Sequence, residues 1–76
     1  MRLKDFIENF ALQFEETESS YFQADTKFKE LKEWSSILAL SIIAMVDEEY
    51  NVAIRGDDIK SSVTIEDLFK IVESKK

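Results

Sequence analysis

Residues 33–50 read Glu33-Trp34-Ser35-Ser36-Ile37-Leu38-Ala39-Leu40-Ser41-Ile42-Ile43-Ala44-Met45-Val46-Asp47-Glu48-Glu49-Tyr50. A polar segment stops at the serine pair and a strongly apolar one begins. The reading is a central helix over about Ser36 to Tyr50, with Ser35 as its N-cap. The Ser35 hydroxyl would accept from a free N–H of the first turn. At about 100° per residue, Ala39, Ile42, Ile43, Val46 and Tyr50 form a core face. Ile37, Leu40, Ser41, Ala44, Asp47 and Glu48 fall on the opposite side, a stripe apolar at its N-terminal end and acidic at its C-terminal end. An apolar stripe left exposed marks a contact surface. The alternative is that the preceding loop or the last helix covers Ile37 and Leu40.

Ahead of this helix, Leu3, Phe6, Ile7, Phe10, Ala11 and Phe14 recur at helical spacing. They predict an amphipathic helix from about Arg2 to Glu15, and its phenylalanines are core material. From Glu16 to Ser35 the periodicity is lost. Tyr21, Phe22, Phe28, Leu31 and Trp34 read as aromatic and aliphatic anchors pinning a long loop to the core. Asp25 or Thr26 would cap one brief helical turn over Lys27–Leu31.

Beyond the central helix, Asn51 is a suitable C-terminal stop. Gly56, Asp57 and Asp58 begin a short turn or helical fragment ending near Ser61. Thr64-Ile65-Glu66-Asp67 fits a capping box with Asp67 reaching back. Ile65, Leu68, Phe69 and Val72 then follow as the buried stripe of a last helix, with Lys75 and Lys76 at the negative end of its dipole. Asp47, Glu48, Glu49, Asp57 and Asp58 lack the ligand spacing of a calcium loop, so no metal site is expected beyond weak, nonspecific divalent binding.

The fold class expected is therefore all-α: one domain over 1–76, a small four-helix bundle of three main helices and one short one, with a long loop between helices 1 and 2. The chain has 76 residues, one glycine and no proline, too little punctuation for a β-protein. It has no cysteine, which excludes disulfides and thiolate metal sites, and no histidine, the commonest general base. With 16 acidic and 10 basic residues the net charge is −6. That charge disfavours nucleic acid and anionic membrane surfaces and steers toward partners with basic patches. No apolar run approaches the ~20 residues needed to span a bilayer. Met1-Arg2-Leu3-Lys4-Asp5 lacks the order of a secretion signal, so the expectation is a cytoplasmic protein and a monomer.

A catalytic serine needs a base and a group to orient that base. Without histidine only a serine–lysine pair remains, and Lys32 lies in a polar, solvated stretch. The chain is therefore expected not to be an enzyme. A serine at a helix N-terminus is, however, well placed to bear a phosphate, since free N–H groups and the dipole favour an anion there. Ser35 can cap the helix alone, which leaves Ser36 free.

Taken together, Phe28-Lys29-Glu30-Leu31-Lys32-Glu33-Trp34, then Ser36-Ile37, then Asp47-Glu48-Glu49-Tyr50, then Thr64-Ile65-Glu66-Asp67-Leu68 resemble the acyl carrier proteins over nearly the whole chain. The resemblance implies that Ser36 receives 4′-phosphopantetheine from coenzyme A, added by a separate magnesium-dependent phosphopantetheinyl transferase. The arm would carry acyl or aminoacyl groups as thioesters for lipid, fatty acid or secondary-metabolite biosynthesis, making the chain a phosphoprotein. Ile37, Leu40, Ala44, Asp47 and Glu48 fall on the face that such proteins show to basic patches of acyl-loading and acyl-processing enzymes. Three positions depart from the pattern. Ser35 stands for the usual Asp, Ile37 for leucine, and Ser41 where an acid is common. These changes suggest a specialised carrier. The competing reading is a carrier-like helical domain that is never modified and acts as an interaction module.

Overall fold

The computed structural model describes residues 1–76 and contains four α-helices and no strand. They are α1 (Leu3–Ala11), α2 (Ser36–Tyr50), α3 (Gly56–Ser61) and α4 (Ile65–Ser74), and two 3₁₀ turns, Ser19–Tyr21 and Phe28–Glu30, interrupt the long connection between α1 and α2. Helix α1 packs on α2 and α4, and α3 closes the other side against the same two helices.

Helix α1 ends earlier than its periodicity suggested, at Ala11 rather than Glu15. Its last turn tightens, with Gln13 and Phe14 donating to Phe10 and Ala11 at i−3. This keeps Phe14 buried on the helical stripe while the chain turns away. All six phenylalanines are buried, and five of them come from α1 and the connection after it. Phe10 is the hub, with ring centroids at 5.2 Å from Phe28, 5.6 Å from Phe14 and 6.2 Å from Phe22. Each such pair adds about 0.5–1.5 kcal/mol to its area burial. The connection thus supplies three of the sixteen buried core residues, Phe14, Phe22 and Phe28.

Two backbone bonds tie that loop to α4. The first-turn donors Ile65 N and Glu66 N reach the carbonyls of Thr26 and Ala24 at 3.2 and 3.0 Å. The second 3₁₀ turn forms where a brief turn was expected, but neither Asp25 nor Thr26 caps it. Its N-cap is Lys27, without a side-chain bond. Thr26 instead accepts from Gln23 N at 2.7 Å and donates to the Tyr21 carbonyl at 2.8 Å, closing the preceding bend.

The central helix runs over the expected residues. Asn51 ends it in the left-handed region at φ 56, ψ 40, its N–H bonded to the Asp47 carbonyl. Its core stripe is Leu38, Ile42, Met45 and Val46, whereas Ala39, Ile43 and Tyr50 are only half-buried. The expected face holds at Ile42 and Val46, and Ala39, Ile43 and Tyr50 pack against the core. The stripe is rotated to take in Leu38 and Met45, because the helix is apolar nearly all round and its neighbours decide the rotation. Tyr50 sits at the margin, its hydroxyl accepting from Asn9 Nδ2 at 2.8 Å. Burial pushes that phenol above its ordinary range, partly opposed by the Asn9 bond.

Asp58 reaches back to the Arg55 N–H at 2.9 Å to start α3, and Arg55 has no acceptor to return the bond. The capping box of α4 forms in full, with Asp67 N on Thr64 Oγ1 at 3.1 Å and Asp67 Oδ2 on Thr64 N at 3.0 Å. Ser62, the single buried polar residue, is satisfied by donating to the Asp58 carbonyl at 2.9 Å.

Candidate functional site

Helix α2 begins where it does because Ser35 is extended, at φ −159, ψ 171. The Ser35 carbonyl takes Ala39 N at 3.1 Å and its Oγ takes Leu38 N at 3.4 Å, a long bond. Ser36 is therefore the first helical residue, exposed, with the first-turn N–H groups around it. The segment leading to it is held on both flanks. The Trp34 ring lies 5.1 Å from Phe28, edge to face, and 6.3 Å from Phe14. The Glu33 carboxylate accepts from Glu15 N, Glu16 N and Thr17 Oγ1 at 2.9, 3.1 and 2.7 Å. The Thr17 hydroxyl is the main cause holding that carboxyl below its usual range; desolvation opposes it, and the backbone donors add to the lowering.

Ser36 opens onto a cleft of about 580 Å³ between α2 and α3. Trp34, Ala39, Leu40 and Ile43 line its α2 side and Ile59 its α3 side, with Lys29 and Lys60 also lining it. Lys29 is fixed there by donating from Nζ to the Lys60 carbonyl at 2.8 Å, with its ammonium 6.0 Å from the Phe28 ring centroid.

Neither the loop nor α4 covers the outer stripe of α2. Ile37 is 76% exposed and Leu40 66%, and Ala44, Asp47 and Glu48 are exposed as well. Leu40 shares the cleft with Ser36, while Ile37 lies on the opposite flank beside Gln13, Glu15 and Glu33. The two apolar side chains therefore bracket the serine. Asp47 and Glu48 stand farther off, about 16–18 Å from Ser36 along the axis at 1.5 Å per residue. Ser41 is half-buried and faces the Ile37 flank. Lys32 is exposed and lines depressions with Glu16 and Thr17, away from the Ser36 cleft. No three carboxylates converge into a metal-binding cluster.

Lys29, Lys60 and Ile59 were not singled out from the sequence. Lys29 and Lys60 are 31 residues apart, and no local spacing links them. They meet because the loop and α3 both fold against α2. Comparison with models of protein families, with curated proteins and with solved structures finds no match to this chain.

Proposed function

We propose that this chain is a carrier of the acyl carrier type, a non-enzymatic cytoplasmic monomer that bears 4′-phosphopantetheine on Ser36 and presents acyl or aminoacyl thioesters to partner enzymes. The observation that carries the reading is the exposed Ser36 hydroxyl on the first turn of α2, at the mouth of an apolar cleft. The residues present fit the group. First-turn N–H groups and two lysines suit a phosphodiester, and the apolar wall suits the carbon chain behind it. When bound, the arm would supply the thiol that a chain without cysteine lacks.

In the modification, Ser36 Oγ forms an ester bond to the phosphorus of the pantetheinyl phosphate. The pyrophosphate P–O bond of coenzyme A breaks, adenosine 3′,5′-bisphosphate leaves, and the hydroxyl proton passes to the transferase. Ser35 keeps its capping bond throughout, so the two serines have separate tasks. Ile37, Leu40 and Ala44 offer apolar contact to partners, and Asp47 and Glu48 offer charge to basic patches.

The test is incubation of the unmodified protein with coenzyme A and a broad-specificity transferase. The expected result is a mass gain of one phosphopantetheinyl group, abolished by Ser36→Ala and retained in Ser35→Ala. A second reading rests on the exposed Ile37 and Leu40, which could serve binding without any arm. On that reading the domain is an unmodified interaction module. No mass gain with any transferase would decide for it.

A further inference from the structure

The chain is acidic, yet the cleft beside Ser36 is not. It contains Lys29 and Lys60 and no carboxylate, whereas each of the other four surface depressions has at least one glutamate in its wall. Lys29 is preorganised. Its Nζ is held on the Lys60 carbonyl at 2.8 Å, which leaves two of its three protons free. Trp34, Leu40 and Ile43 supply an apolar wall next to this basic pair. An occupant that matches carries an anion with an apolar group close behind it.

Resting on the carrier reading above, we infer that Lys29 and Lys60 seat the phosphodiester on Ser36. The gem-dimethyl segment that follows the phosphate packs against Trp34, Leu40 and Ile43. In the resting protein the arm then lies along the α2–α3 cleft instead of extending into solvent. Surface lysine–phosphate pairs are weak in isolation, about 0–1 kcal/mol. Tethering changes the outcome, because a group esterified beside the seat is present at an effective concentration of order mM or more. A weak pair and apolar burial then act together within one molecule and favour the docked arm, while a partner enzyme can still draw it out.

The test compares backbone amide NMR spectra of unmodified and phosphopantetheinylated protein, in wild type and in a Lys29→Gln/Lys60→Gln variant. Loading is expected to shift the amides of Ile43 and Ile59, on both walls, as well as those adjoining Ser36. The shifts at Ile43 and Ile59 should fall by more than half in the variant. They should also fall in the wild type as salt rises from ~0.05 to ~0.5 M, a comparison that needs no variant and so covers the case in which the lysine changes block loading. A loaded wild type whose shifts stop at Ser35–Ile37 overturns the docked arm and leaves the carrier function intact. Full shifts that persist in the variant and in high salt overturn the lysine seat. No mass gain in wild type overturns the carrier reading itself, and the seat with it.

Discussion

Thr17 donates its hydroxyl to Glu33 Oε1 at 2.7 Å, closing a ring between two residues 16 apart in the chain. The same carboxylate takes the N–H groups of Glu15 and Glu16, the first free donors after α1 unwinds. One side chain thereby stops the loop from fraying and anchors the peptide that leads through Trp34 to Ser36. A glutamate that looks like surface charge in the sequence is a clasp in the fold.

The clasp predicts an acid-sensitive fold. Glu33 is held below its usual range chiefly by the Thr17 hydroxyl, and Asp67 chiefly by the Thr64 N–H and then the Val63 N–H. A depressed folded-state pKa means that the unfolded chain binds more protons in acid. The stabilisation is therefore present above the ordinary carboxylate range of about 4 and is lost as pH falls through the folded-state values. Thermal midpoints should drop as pH is lowered from ~6 to ~3, and Glu33→Gln with Asp67→Asn should flatten that drop. Parallel pH curves for variant and wild type would assign the acid sensitivity to other groups.

Phe10 is fully buried, and its ring meets those of Phe6, Phe14, Phe22 and Phe28. Phe10→Ala should cost about 3–5 kcal/mol, most of the stability available to a domain this small. Calorimetry should show loss of a cooperative transition near room temperature. Leu12→Ala, at a residue 77% exposed two positions on, should change stability by less than about 0.5 kcal/mol.

Asn51 holds the left-handed conformation at φ 56. Glycine adopts that region without the Cβ clash, so Asn51→Gly should be neutral to within a few tenths of a kcal/mol. Asn51→Ala should lose about 1 kcal/mol. Denaturant melts of the three proteins check the order, and equal midpoints for the Ala and Gly forms would show that the end of α2 relaxes.

Ser35 caps α2 through a bond of 3.4 Å, at the long limit, so Ser35→Ala should cost about 0.5 kcal/mol, the low end of capping losses. Ser35→Asp keeps an acceptor and adds negative charge at the positive end of the dipole. Under the carrier reading it should also speed loading by a standard transferase, because it restores the acid usual before the modified serine. Identical loading rates for the wild type and the Ser35→Asp variant would mean that the native serine is no handicap.

Ile37 and Leu40 are exposed, so Ile37→Lys and Leu40→Lys should leave the thermal midpoint nearly unchanged, within about 0.5 kcal/mol of stability. Loading by the transferase should slow severalfold if these side chains bracket a docking face. Unchanged loading in both variants would remove α2's outer stripe from the partner surface.

What the sequence determined by itself is what local chemistry can specify. The Ser35 cap, the Asn51 stop and the Thr64–Asp67 capping box each form between residues no more than four apart, so their spacing is already the bond. The stripes of α1 and α4 were readable because each helix is apolar on one side only. Tertiary structure decided the rest. It shortened α1, rotated α2 to bury Leu38 and Met45, drew the loop phenylalanines into the core, and brought Lys29 to Lys60 in the cleft that Ser36 lines. A helix apolar nearly all round carries no sharply preferred face, and a bond across 16 or 31 residues leaves no periodicity. Both exist only once the elements have packed.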